Sequence, residues 1–397
     1  MKNKYELSSS TWDEKEIEAI NKVIDSGIFT MGSNVQKFES AFSRYIESSY
    51  SLMVNSGSSA NLLGIASLFF VKNNPLKRGD EVIVPAVSWS TTYSPLQQYG
   101  LKLRFVDIDI ETLNYDIDKL KLAINEKTKL IVLVNLLGNP NDFEKINSLI
   151  NKRNIILFED NCESLGAEFK GKKAGTFGKV GTFSTFFSHH ISTMEGGVIV
   201  TDDEEIYHIL LSLRAHGWTR NLPTNNLIHK KSNHSFYDQF RFILPGYNVR
   251  PLEMSGAIGI EQLKKLPQFI ESRVSNAEYF KSRFNNHPNL IIQKETGYSS
   301  WFGFSFIIRD DEKINRDDLV SYLNMNNIDT RPIVTGNFLN NPVIDFYDYE
   351  LNDDLINAEK LDKNGFFVGN HHYSIIEKID YLFEIIDLYI ENLKQKK

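Results

Sequence analysis

The sequence predicts an α/β fold in which a mostly parallel β-sheet is flanked by helices and is followed by a smaller C-terminal α+β domain. Short apolar runs bounded by turn residues alternate with longer helical stretches, and this pattern changes from about residue 251. The chain of 397 residues is long enough for two or three domains. We therefore predict a large α/β domain at residues 1–250 and a small α+β domain at residues 251–397.

The large domain is predicted from alternating strands and helices. Consecutive apolar residues, which are typical of strands buried on both faces of a parallel sheet, occur at 81–84, 129–134, 155–158 and 197–200. Apolar residues at helical spacing predict helices at 13–25, 61–71 and 204–214. Strands separated by helices favour parallel pairing.

The pattern of apolar residues changes after residue 251. Residues 301–306 alternate like a half-exposed strand, and a helix is predicted at 316–325. The last helix, at 375–393, places Ile379, Leu382 and Ile386 on one face, so we expect it to dock on the small domain rather than on a membrane.

Composition favours a small-molecule partner. The net charge of -7 gives no reason to expect nucleic acid or an anionic membrane. The N-terminus lacks an apolar signal-peptide segment, and no apolar run reaches the ~20 residues of a membrane-spanning helix. We expect a cytoplasmic protein. The single cysteine, Cys162, cannot form an intrachain disulfide or supply an iron–sulfur cluster, and we expect it to be a buried small hydrophobe.

A candidate phosphate site precedes the second predicted helix. The segment 55–61 contains Gly57 and Ser58, whose small size lets the backbone approach a phosphate at a helix N-terminus. Ser184 could add a hydroxyl to the same anion. In isolation this segment is more often a turn with an N-cap.

Two further residues favour a flat aromatic ligand. Trp89 follows a predicted strand and could stack on a ring, although a lone tryptophan is usually a core residue. Asp160 follows another strand, at the edge where open α/β sheets bind ligands, and could keep a pyridine nitrogen protonated. The alternative is an N-cap aspartate or a solvated pair with Glu159. Together, these segments predict a phosphorylated pyridine ring as the ligand.

The adjacent histidines His189 and His190 are the most informative feature. An imidazole can move protons near neutral pH, since its ordinary pKa is ~6.5. The alternatives are a core histidine or half of a metal site. Nothing nearby has zinc-ligand spacing, so we predict no metal.

Taken together, these motifs resemble those of the nucleotide-sugar aminotransferase group, within the aspartate-aminotransferase superfamily of fold type I pyridoxal 5'-phosphate (PLP) enzymes. In that group, a lysine that binds PLP covalently lies six residues before a Glu-Gly-Gly, and here His189 holds that place before 195–197. Segments 88–93, 159–164 and 214–221 resemble the 3-dehydratases of the group. The resemblance implies fold type I and a homodimer with active sites at the subunit interface.

The resemblance also assigns roles to residues of this sequence. It places Glu163 near the ring hydroxyl of the cofactor, and Asn248 at the phosphate of the neighbouring subunit's cofactor. Arg220 and Arg250 would bind anionic groups of L-glutamate or of the nucleotide sugar. His216 would be a second acid/base group or a substrate contact, with a structural hydrogen bond as the alternative.

The implied activity is removal of the C3 hydroxyl from a GDP-linked 4-keto-6-deoxy sugar, a step of 3,6-dideoxysugar biosynthesis. PLP, bound without a covalent tether, would take an amino group from L-glutamate to give pyridoxamine 5'-phosphate (PMP), and His189 would remove the proton that starts the elimination. A protonated His189 could assist departure of the hydroxyl. The sequence leaves hexose or heptose open.

The sequence has three alternative interpretations: a conventional nucleotide-sugar aminotransferase, a non-catalytic PMP-binding regulatory protein, and a CDP-sugar dehydratase. The last draws electrons through an iron–sulfur cluster, which one cysteine cannot hold.

Overall fold

The computed structural model describes residues 4–232, 234–309 and 314–395. The strands are β1 Tyr50–Val54, β2 Glu81–Pro85, β3 Lys102–Val106, β4 Thr128–Val134, β5 Ile156–Asp160, β6 Glu168–Phe169, β7 Lys172–Lys173, β8 Val180–Ser184, β9 Gly197–Thr201, β10 Leu290–Ile292, β11 Gly303–Ile308, β12 Tyr349–Leu351 and β13 Gly365–Gly369. The helices are α1 Glu14–Ser26, α2 Ser33–Ile46, α3 Gly57–Ser67, α4 Ser90–Gln98, α5 Ile117–Ala123, α6 Phe143–Ile150, α7 Glu204–Leu213, α8 Ser235–Asp238, α9 Glu253–Phe284, α10 Arg316–Met325, α11 Ile356–Asn364 and α12 Ile376–Gln395.

The predicted mostly parallel sheet is confirmed. Within the described residues, eight strands form one sheet in the order β1-β9-β8-β5-β4-β2-β3-β12. In this spatial order, the neighbouring strands β8, β5, β4, β2, β3 and β12 all pair in parallel. Strand β9 is antiparallel to both of its neighbours, β1 and β8. Strands β2 and β9 are buried along their whole length, as their continuous apolar character indicated. The carboxyl ends of β2, β4, β5 and β8 therefore share one edge of the sheet.

Helix α3 begins four residues earlier than predicted, at Gly57 instead of residue 61. The Ser56 hydroxyl accepts a hydrogen bond from the Ser59 amide at 3.1 Å, which caps the helix. The Gly-Ser-Ser segment therefore forms the first turn of the helix, and its backbone N–H groups point out of the helix N-terminus.

The C-terminal region contains a second, antiparallel sheet in the order β10-β11-β13. The expectation of a half-exposed strand was wrong, because every residue of β11 is buried. Phe304 and Phe306 on one face pack into the core of the small sheet, while Ile307 on the other face joins the core that packs against the large sheet. β11 therefore lies at the contact between two hydrophobic cores.

Helix α9 connects the two regions. It packs against α1 and α2 of the N-terminal region and also against β10 and α12 of the C-terminal region. Strand β12 from the C-terminal region joins the edge of the large sheet. The predicted boundary between a large and a small domain, between residues 250 and 251 and just before α9, stays a prediction.

None of the helices in the described part of the chain has the length and apolar character needed to cross a bilayer. The same residues contain no group of three His, Cys, Asp or Glu side chains that could hold a metal ion.

We expect Arg214→Met to lower the free energy of unfolding by about 3–5 kcal/mol, because it leaves a buried carboxylate without its counterion. The Arg214 Nη1 lies 2.5 Å from the Glu39 Oε1 and donates to the Met53 carbonyl at 2.8 Å, and both charged side chains are buried. Chemical denaturation measures the loss. Lys264→Met, which breaks an exposed pair with Glu261, is the control and should cost less than about 1 kcal/mol. Equal losses would contradict the prediction.

Candidate active site

A cavity of about 290 Å³ opens at the carboxyl edge of the large sheet. Its wall contains seven of the site residues that the sequence predicts, namely Gly57, Ser58, Trp89, Asp160, Glu163, Ser184 and His189. Because parallel strands end at the same edge, residues as distant in sequence as Gly57 and His189 meet here. The wall also contains Cys162, which is half-buried at the cavity rather than enclosed in the core as expected.

The N-terminus of α3 forms one end of the cavity. A Cβ atom at Gly57 would lie 2.6 Å from the Ser184 Cβ, so only glycine fits there. The Ser58 hydroxyl donates to the Thr91 hydroxyl at 3.1 Å. Glycine at this position brings the helix N-terminus and two serine hydroxyls together, which is a suitable arrangement for a phosphate.

Asp160 is the last residue of β5 and is held by three donors. Its Oδ2 accepts from the Asn61 Nδ2 at 2.8 Å and from the Thr92 hydroxyl at 2.7 Å, and its Oδ1 accepts from the Cys162 amide at 3.1 Å. These donors stabilise a charged carboxylate. Sequence analysis assigned no role to Asn61 or Thr92, although both lie one helical turn from assigned residues.

The Trp89 indole forms part of the cavity wall and is 53% exposed. It lies immediately before α4. An exposed, flat ring at this position is available to stack on a ligand.

His189 is half-buried, and its Nδ1 atom is buried with no hydrogen-bond partner in the described part of the chain. The ring lies 5.3 Å from the Phe302 ring and 6.0 Å from the Phe186 ring, between centroids. Burial, followed by the positive charge of Arg331, lowers the pKa of His189 to about 3. His190 lies behind it in the core, with its Nε2 3.1 Å from the Ser300 carbonyl oxygen.

Arg331 is a cavity residue that sequence analysis missed. Its Nη2 lies 3.6 Å from the Glu163 Oε1, and the Glu163 Oε2 accepts from the Leu137 amide at 3.2 Å. Burial raises the pKa of Glu163, while Arg331 opposes this rise. Arg331, Phe302 and Val334 enter the cavity from the C-terminal region. No local motif marks them, because only the tertiary fold brings them to this edge.

Four of the assigned residues lie outside this cavity and gather around Trp218. The Arg220 guanidinium lies 4.2 Å from the centre of the Trp218 ring, and the His216 ring lies 5.1 Å from it. The Arg250 Nε donates to the Asn248 Oδ1 at 2.9 Å. The resemblance assigns Asn248 to the cofactor of a neighbouring subunit, and the assigned roles of all four residues stay predictions.

We expect the imidazole of His189 to stay neutral in the cofactor-free protein from pH 8 down to about pH 4. Its folded pKa of about 3 lies below the ordinary 6.5, so the unfolded chain binds more protons between these values. The titration of His189 therefore does not change the stability of the fold above pH 6.5, and it lowers that stability progressively as the pH falls from 6.5 toward 3. Nitrogen-15 NMR of the ring, assigned with His189→Gln, measures the titration.

Unfolding measurements give the second check. Between pH 7.5 and 5, the wild type should lose up to about 2 kcal/mol more stability than His189→Gln. A ring that titrates near pH 6.5 would contradict the prediction.

These residues fit PLP. The Gly57 and Ser184 contact forms a cradle for the phosphate, Asp160 presents a charged acceptor, and His189 has an unpartnered ring nitrogen beside the same space. No lysine lines the cavity in the ranges that the structure describes, so PLP would be bound without a covalent tether.

Comparisons with known proteins agree with this site. GDP-4-keto-6-deoxy-D-mannose 3-dehydratase of Escherichia coli O55:H7 is 62% identical over 384 residues, covering 96% of this chain and 99% of that protein. The protein of the same name from Yersinia pseudotuberculosis is 61% identical over 384 residues, covering 96% and 98%. A crystal structure of GDP-4-keto-6-deoxymannose-3-dehydratase with a trapped PLP-glutamate geminal diamine matches with a TM-score of 0.95 and 62% identity, covering 96% of this chain and 100% of that chain.

The predicted fold type is confirmed, since that structure and this chain share one fold. The model of the DegT/DnrJ/EryC1/StrS aminotransferase family matches residues 10–387. Because this match covers nearly the whole chain, the protein belongs to the DegT/DnrJ/EryC1/StrS aminotransferase family.

Proposed function

We propose that the protein is a PLP- and PMP-dependent dehydratase that removes the C3 hydroxyl of a GDP-linked 4-keto-6-deoxy sugar, with L-glutamate as the amino donor. The observation that carries this proposal is His189, which lines the cavity at the place where aminotransferases of the family have their lysine. The names of the relatives from Escherichia coli and Yersinia pseudotuberculosis favour GDP-4-keto-6-deoxy-D-mannose as the substrate.

The proposed overall reaction balances without an external reductant. L-glutamate and the 4-keto sugar give 2-oxoglutarate, ammonia and a 3-deoxy-4-keto sugar. The sugar loses one oxygen atom, 2-oxoglutarate contains one more oxygen atom than glutamate, and glutamate supplies the two electrons. No iron–sulfur cluster is needed, which agrees with a chain that has one cysteine.

Different residues of the cavity would bind different parts of the cofactor. Gly57, Ser58 and Ser184 would hold its phosphate, Trp89 would cover one ring face, and the Asp160 carboxylate would hold a proton on the pyridine nitrogen. When bound, the cofactor supplies an electron sink for the negative charge that proton removal creates.

His189 would remove the proton at the cofactor's exocyclic carbon. Because burial and Arg331 lower its pKa to about 3, the ring is neutral and can accept a proton at physiological pH. Once it has accepted that proton, the protonated His189 would assist departure of the C3 hydroxyl, because a low pKa makes the imidazolium a ready proton donor. In the described part of the chain, the cavity wall has no lysine amine to return the proton to sugar carbon 4. Elimination of the C3 hydroxyl would therefore be faster than formation of an amino sugar.

We also propose that the protein is a cytoplasmic homodimer. Asn248, Arg220 and Arg250 lie outside the cavity of their own chain, on a surface with exposed aromatic side chains such as Phe240. A second subunit would bring this surface to the cavity edge. Light scattering during size-exclusion chromatography measures the subunit number.

The function is tested by incubating the protein with PLP, L-glutamate and a panel of 4-keto sugar nucleotides, followed by mass spectrometry. We expect a product that is lighter than its substrate by one oxygen atom, together with equimolar ammonia. An amino-sugar product would favour the aminotransferase alternative. PMP formation without any sugar product would favour the non-catalytic alternative.

A further inference from the structure

Arg273 in α9 is a buried cation outside the cavity. Its side chain is 5% exposed, and its Nη1 donates to the carbonyl oxygens of Phe302 at 3.1 Å and Asn370 at 3.0 Å. In the ranges that the structure describes, no carboxylate pairs with it, and burial lowers the pKa of its guanidinium to about 10. A buried charge is costly unless hydrogen bonds compensate it, and here the carbonyl oxygens of Phe302 and Asn370 accept those bonds.

The carbonyl groups that Arg273 binds belong to chain segments facing the cavity. Phe302 directly precedes β11, and Asn370 directly follows β13. On its other side, the Phe302 amide donates to the Leu137 carbonyl at 3.0 Å. The neighbouring Trp301 has a φ of 45°, which is unfavourable for a bulky side chain. Arg273 and Leu137 therefore hold a strained segment from two sides.

The segment that contains Phe302 packs against His189, the proposed catalytic histidine. The Phe302 ring lies 5.3 Å from the His189 ring and 5.7 Å from the His190 ring. The His190 Nε2 lies 3.1 Å from the carbonyl oxygen of Ser300, in the same segment. A displacement of Phe302 would therefore move the surface against which His189 is oriented.

We infer that Arg273 is a positioning residue for proton transfer at His189, and that it acts through Phe302. This inference rests on the proposed function. Arg273 touches neither the cavity nor a reacting atom, so it orients the base without taking part in the chemistry.

The charge of Arg273 supports the same role. The ionisable groups that face His189 are Arg331, Asp160, Glu163 and Glu195 in the cavity wall, and His190 behind it. Arg273 adds positive charge from the core side and helps to lower the pKa of both histidines. A neutral imidazole is the form that accepts a proton.

The test compares Arg273→Gln, Arg273→Lys and the control Arg283→Gln, an exposed arginine of the same helix that pairs with Asp380. Nitrogen-15 NMR of the His189 ring is recorded in the cofactor-free protein, and kcat for dehydration is measured with PLP and L-glutamate. We expect Arg273→Gln to move the pKa of His189 toward 6.5 and to lower kcat by about 10- to 100-fold. Arg273→Lys should keep the low pKa and lose less activity, and Arg283→Gln should match the wild type.

A folded Arg273→Gln protein that keeps the wild-type kcat would overturn the inference, whatever its titration. If this variant does not fold, Phe302→Leu tests the same path, because it keeps Arg273 and removes the ring that contacts His189. Phe302→Leu should lower kcat by about 10-fold or more, and an unchanged kcat would overturn the inference. If the wild type dehydrates no sugar nucleotide, the proposed function fails, while the NMR titration still decides whether Arg273 controls His189.

Discussion

His189→Lys should abolish C3 dehydration and create a covalent bond between the new amine and PLP. The cavity places residue 189 beside the cofactor cradle, and its wall contains no other lysine in the described ranges. A lysine there would bind PLP covalently and could return a proton to the sugar, so amino transfer would replace elimination. We expect dehydration to fall by about 10²- to 10⁴-fold, the range of general acid–base catalysis. The absorbance of the protein-bound cofactor should survive dialysis in the variant and be lost from the wild type.

His189→Asn separates the loss of the base from the gain of an amine. It should lose dehydration to the same extent and still release PLP on dialysis. His208→Gln is the matched control, because His208 is a buried histidine of α7 outside the cavity. A His189→Lys protein that dehydrates as fast as the wild type would show that another group removes the proton.

The residues that sequence analysis found are those marked by a local pattern. Gly57 precedes a predicted helix, Asp160 follows a predicted strand, and His189 lies six residues before a Glu-Gly-Gly. The fold then brings the three residues to one cavity. Arg331 and Phe302 are in the same cavity without any such pattern. They reach it because the C-terminal region folds back against the large sheet, and this packing depends on contacts distant in sequence.

Burial was also predicted less well than secondary structure. Residues 301–306 alternate like a strand with one solvated face, yet β11 packs against a hydrophobic core on each side. The low pKa of His189 has the same origin, because it depends on burial by the folded chain and then on the charge of Arg331. Periodicity reports which residues share a face but not what covers that face.

Asp160→Asn should lower the rate of dehydration by about 10²- to 10³-fold, the range for removing one electrostatic group from an active site. The carboxylate would hold a proton on the pyridine nitrogen, and a neutral amide cannot do so. The amide also has one acceptor oxygen where the native side chain uses two. It can keep its bonds from Asn61 and Thr92, but its NH₂ group then faces the Cys162 amide, which is also a donor.

The measurement that isolates this effect is nitrogen-15 NMR of labelled PLP bound to each protein. In the wild type the pyridine nitrogen should be protonated at pH 7.5, whereas in Asp160→Asn it should not. Asp107→Asn is the matched control, because Asp107 is a buried carboxylate directly after β3 that pairs with Lys119 instead of lining the cavity. This control should lower stability and leave the nitrogen protonated. A protonated nitrogen in Asp160→Asn would mean that Asp160 shapes the cavity through its three hydrogen bonds and not through its charge.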